Sequence, residues 1–132
     1  MSAPETVAIV FTVRARDRGG WELVATGVWP TRRDGAWAVA LDKWQVMVAA
    51  LGRGLWPIRD GGAKTCALCR VYETATGGLD CRSCMGEPYI GCLGTPYWDY
   101  VDAVFANDPV AGLNAAEREL AFLETLSRGE KP

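Results

Sequence analysis

The chain has 132 residues and a mass of 14.3 kDa, the length of one domain or of two very small lobes. With 49% hydrophobic and 23% charged residues it falls in the globular range, which excludes general disorder and collagen-like or coiled-coil classes. Fourteen basic and sixteen acidic side chains leave a net charge of −2, and the absence of histidine excludes a Ser-His-Asp triad, a Cys-His dyad and any His-liganded metal.

Residues 6–16 alternate, with Val7, Ile9, Phe11, Val13 and Ala15 on one face and Thr12, Arg14 and Arg16 on the other, which predicts a half-buried strand. Asp17-Arg18-Gly19-Gly20 supplies a turn, and Trp21 to Trp29 returns as the second strand of a hairpin. Thr31-Arg32-Arg33-Asp34-Gly35 reads as another turn. Trp37, Val39 and Leu41 then alternate with alanines as a third antiparallel strand. From Asp42, a candidate N-cap, Trp44, Met47, Val48 and Leu51 fall at helical spacing up to Gly52.

Gly52 to Gly62 is rich in breakers and marks a boundary near residue 60. It divides a sheet-plus-helix lobe, 1–60, from a cysteine lobe with C-terminal helices, 61–132; packing of both into one compact domain is the alternative. Thr95-Pro96 predicts an N-cap and first turn for a helix through about Asn107, stopped by Asp108-Pro109. Asn114 and Glu117, at capping-box spacing, open a last helix carrying Leu120, Leu123 and Leu126 and closing at Gly129. The expected fold class is α+β: a small antiparallel three-stranded sheet with one helix, a four-cysteine knuckle or ribbon-like segment, and two C-terminal helices.

The second lobe carries Cys66-Ala67-Leu68-Cys69 and Cys81-Arg82-Ser83-Cys84, two C-x-x-C pairs separated by eleven residues. Such a turn brings two thiolates to one side, so two turns build a tetrahedral cage from Cys66, Cys69, Cys81 and Cys84. Zinc is the expected ion, with iron, as a single rubredoxin-like ion or an iron–sulfur cluster, as the alternative. Cys92 is a fifth thiol, either a buried spare or a replacement ligand. Lys64, Arg70 and Arg82 lie beside the cysteines in sequence and offset the charge of the thiolates. An odd cysteine count argues against a disulfide framework. The apolar run Val7 to Val13 is too short for a signal peptide or a membrane span, so the expectation is a soluble, cytoplasmic chain with no membrane partner.

The order Cys-x-x-Cys, Cys-x-x-Cys and then Cys92-Leu93-Gly94-Thr95-Pro96-Tyr97 resembles small cysteine-rich proteins encoded by tailed bacteriophages. The resemblance covers roughly half the chain, from Thr65 into the terminal helix with Glu119 and Phe122-Leu123. That family often has proline after the second pair, where this chain has Met85. It implies a phage or prophage accessory protein with a metal-stabilised fold, in the host cytoplasm, with Cys92 part of the pattern and no established enzyme activity.

Three functions follow. The first is a non-enzymatic zinc-stabilised interaction module that binds a host or phage protein, with Tyr97, Trp98 and Tyr100 as an aromatic partner patch or else as a satellite core. The second is a zinc-ribbon-like nucleic-acid binder using Arg14, Arg16, Arg18, Arg32 and Arg33 beside Trp21 or Trp29. A pI near 5.1 and the interruptions by Asp17 and Asp34 weigh against it. The third is a redox protein or an enzyme using iron, a dithiol, or the carboxylates Asp99 and Asp102.

Overall fold

The computed structural model describes residues 8–68 and 95–128. Their fold is α+β: a three-stranded mixed sheet with three α-helices. Strands β1 (Ala8–Ala15) and β2 (Trp21–Val28) form the expected antiparallel hairpin, in register from Ala8 opposite Val28 to Ala15 opposite Trp21. Ile9, Phe11 and Leu23 are buried, while Val10 and Val28 point to solvent. Gly27 adopts φ +123, and a Cβ there would lie 2.0 Å from the carbonyl oxygen of Ala8, so only glycine lets the strands approach at that end.

The expected third antiparallel strand does not exist. Helix α1 (Arg33–Gly52) takes in all of residues 36–41 and begins nine residues before the anticipated cap at Asp42. The apparent alternation was one of alanines with larger apolar residues, which carries no contrast of polarity, and alanine is the best helix former. Ala36, Val39, Ala40, Lys43, Trp44, Met47, Ala50 and Leu51 are all buried, a continuous stripe at i, i+3, i+4 and i+7 spacing. The third strand is instead β3 (Ile58–Arg59), paired in parallel with Trp21 and Glu22 of β2, so the sheet is mixed rather than antiparallel.

Helix α2 (Pro96–Phe105) has Thr95 at its N-cap and proline at the start, as expected. It ends in a Schellman motif. Asn107 takes the left-handed conformation at φ 52, its N–H donates to the Val104 carbonyl (3.1 Å), and the Asp108 N–H donates to the Ala103 carbonyl (2.9 Å). Asp108 does more than stop α2. Its side chain accepts from the Ala111 N–H at 3.1 Å and caps α3 (Pro109–Ser127), which therefore starts five residues before the expected box at Asn114.

α3 packs against α1 and α2, and α1 also covers the inner face of β1. One apolar core runs from Ile9 and Phe11 through Val39, Met47 and Ile58 to Tyr100, Ala115 and Leu123, drawing on both sides of residue 60. Trp56, read from sequence as part of a connector, lies on α3 at Gly112, where a Cβ would come within 2.3 Å of its ring. Its indole N–H donates to Asn107 Oδ1 at 2.9 Å.

Candidate metal centre and its buried anchor

Of the five cysteines, Cys66 lies among the described residues, and Cys69, Cys81, Cys84 and Cys92 lie outside them. Cys66 is half-buried and packs against the core, just after a short 3-10 turn (Gly62–Thr65) and just before the buried Ala67 and Leu68. Among the described residues no group of three or more metal-ligating side chains converges.

The described residues flanking the other four cysteines in sequence, up to Leu68 on one side and from Thr95 on the other, are held in place by the fold. Both sides converge on Asp60. Its Oδ2 accepts from Lys43 Nζ at 3.1 Å and from the Gly62 N–H at 3.1 Å, while its Oδ1 accepts from the Tyr97 hydroxyl at 3.3 Å. The Thr65 hydroxyl donates to the Asp60 carbonyl. Asp60 thus ties the first side, through Gly62 and Thr65, to the second, through Tyr97. Lys43 supplies the compensating charge from α1. Both partners of that ion pair are nearly shut off from solvent, with side-chain exposures of 4% and 12%. Lys43 Nζ also sits 5.4 Å from the centroid of the Trp44 ring.

Glu119 of α3 completes the junction. The N-cap residue Thr95 makes no side-chain cap bond, and the Tyr97 backbone N–H at the start of α2 donates instead to the Glu119 carboxylate. A tertiary carboxylate therefore does the work of a local cap, placed where the helix dipole favours negative charge. Glu119 is 1% exposed, and its Oε2 accepts no hydrogen bond from the described residues. Burial pushes its pKa up to about 7, opposed by the Tyr97 N–H and the Lys43 charge and reinforced by Asp60 and Asp99.

The aromatic trio divides. Tyr100 is core: it is 1% exposed, its hydroxyl donates to the Ile58 carbonyl at 2.6 Å, and burial raises its pKa. Tyr97 is half-buried, and both tyrosines meet the Trp44 ring edge-to-face, at 5.9 and 5.7 Å between centroids. Tyr97 also meets the Trp98 ring edge-to-face at 5.7 Å between centroids, and Trp98 is 43% exposed.

The arginines do not form one stripe. Arg14, Arg16 and Arg18 stand at the turn end of the hairpin, where Arg14 Nε bonds Glu22 Oε1 at 2.7 Å. Arg32 and Arg33 follow the opposite end of β2, with Arg32 3.6 Å from Asp34 and Arg33 lying over the Trp37 ring at 5.8 Å. About seven residues of strand, roughly 23 Å, separate the two groups along the hairpin. The two carboxylates also differ in setting. Asp99 pairs with Arg118 at 3.0 Å, and Asp102 is exposed.

Sequence reasoning missed Lys43, Asp60 and Glu119 as a connected group. The available signal was a charged residue in a core register: Lys43 between Val39 and Met47 on α1, and Glu119 between Ala115 and Leu123 on α3. No helix among the described residues is long and apolar enough to cross a membrane. Comparison with protein-family models, with curated proteins and with solved structures finds no match to this chain.

Proposed function

We propose that this chain is a non-enzymatic, zinc-stabilised interaction module, a phage or prophage accessory protein whose partner is another protein. The observation that supports it is the clamp at Asp60, which joins Gly62 and Thr65, just before the first cysteine in sequence, to Tyr97, five residues after the last. Cys66 with Cys69, and Cys81 with Cys84, would hold a zinc ion as four thiolates, with Cys92 a spare thiol or an alternative ligand. A four-thiolate zinc site contributes folding energy and keeps no open coordination position for a substrate.

The buried Lys43–Asp60 pair fits a structural part in the same reading, because its polar atoms are engaged with Gly62, Tyr97 and each other. Native mass spectrometry of anaerobically purified protein, with its visible spectrum, tests the proposal. One zinc per chain and no visible colour is expected. Iron with visible absorption would replace the proposal with the redox reading, and metal-free folded protein would overturn it.

A further inference from the structure

Helix α2 has a second face that the core does not use. Its inner side carries Tyr100 and Ala103, which are 1% and 5% exposed. Along its outer side Trp98, Asp102 and Phe105 recur at i, i+4 and i+7, a spacing that aligns them in one stripe spanning about 10 Å of helix axis. Phe105 is 85% exposed and Trp98 43%, so a large aromatic side chain stands in solvent on each side of an exposed carboxylate.

The two sides of the stripe differ: Phe105 lines a cleft with Arg59, Asp60, Val101 and Val104, whereas the side toward α3 is acidic. Beside the stripe, α2 and α3 form a groove of about 710 Å³ lined by Asp99, Asp102 and Asp108 together with Val110, which is 79% exposed. Among the described residues Arg118 is the one basic residue lining it, and it is engaged by Asp99 and Asn114 at 3.0 and 2.9 Å. The Asp102 carboxylate has no ion pair or hydrogen bond among the described residues. Two exposed aromatic side chains on either side of one unpaired carboxylate, Asp102, complement a partner that offers apolar groups and positive charge together.

We propose that the Trp98–Asp102–Phe105 stripe is the docking surface for a basic amphipathic segment of a partner protein. A Lys or Arg of the partner pairs with Asp102 and stacks beside Trp98, and its apolar residues cover Phe105 and reach across the groove to Val110. The inference rests on the interaction-module reading and gives that module a surface and a partner chemistry.

The test uses the full-length, metal-loaded chain titrated with a fluorescent Leu/Lys amphipathic helical peptide and with its Leu/Glu counterpart. The Leu/Lys peptide should bind and the Leu/Glu peptide should not. Asp102→Lys and Phe105→Ser should each weaken binding by about tenfold, the loss expected for one anchor of a small interface. Glu117→Lys, the same charge change at an exposed α3 position outside the groove, should leave affinity within about twofold. Equal weakening by Asp102→Lys and Glu117→Lys would reduce the effect to general charge attraction and overturn the proposal, as would binding of neither peptide or of both alike. Self-association abolished by Asp102→Lys would also overturn it, by giving the surface to a second copy. Metal content measured on the same samples keeps the two claims apart: zinc retained without groove-specific binding refutes the docking surface alone, whereas metal-free protein refutes the module.

Discussion

Because Glu119 ionises inside the fold near neutrality, it links stability to pH. Its pKa is pushed up to about 7 by burial, above the ordinary carboxylate value, so the folded state binds a proton more tightly than the unfolded chain does. The corresponding stability is fully present below about pH 4.5 and is lost as pH rises through about 7. At about 1.4 kcal/mol per pKa unit the change is about 3 kcal/mol. Glu119→Gln keeps an acceptor for the Tyr97 N–H and has no charge to bury, so urea titrations across that range should show a flatter pH dependence than in the unmodified chain. An unchanged profile would remove Glu119 as its source. The neighbouring pair behaves differently, since Lys43 and Asp60 are buried together. Lys43→Ala leaves a buried carboxylate without its counter-charge and should cost about 3–5 kcal/mol in chemical denaturation. Lys43 sits in sequence among apolar neighbours at core spacing, and Asp60 follows Arg59 in a glycine-rich stretch; their partnership across seventeen positions was not legible, because pattern shows which face a charge occupies and not which charge it meets.

At the scale of elements, the hairpin and the start of α2 were legible because each combines a local pattern with a local stop: alternation closed by Gly19-Gly20, and Thr95-Pro96 at a helix start. Residues 36–41 misled because alanine is small enough to occur on any face, and the tertiary fold chose the helix that buries Ala36, Val39 and Ala40. β3 escaped notice because two residues carry no period. Its place is set from outside by the Trp21 N–H bonding the Pro57 carbonyl at 2.8 Å and by the Tyr100 hydroxyl on Ile58. The contact between α3 and Trp56 gives a prediction of the same kind. Gly112→Ala favours an isolated helix by about 1 kcal/mol, yet its methyl would collide with the Trp56 ring. The net result should be a loss of about 1–3 kcal/mol, visible as a lower thermal midpoint. A rise in the midpoint would show that Trp56 can move aside without cost.

For the molecule as a whole, the proposed metal site rests on the spacing of the two C-x-x-C pairs, whereas the contacts that join the residues on either side of them were not legible in the sequence. Those contacts depend on Asp60, Tyr97 and Glu119, which come together only after α1, α2 and α3 have packed. If zinc joins the two pairs, its energy passes into the fold through those contacts. Cys66→Ser should therefore lower both metal content and thermal stability, with the β1–β2 hairpin affected last. The most direct measurement is hydrogen exchange at the Gly62 and Tyr97 amides, which Asp60 and Glu119 hold, before and after removal of metal by a chelator. The account predicts that chelation speeds exchange at both amides while the paired amides of β1 and β2 stay protected. Identical exchange with and without chelator would contradict it.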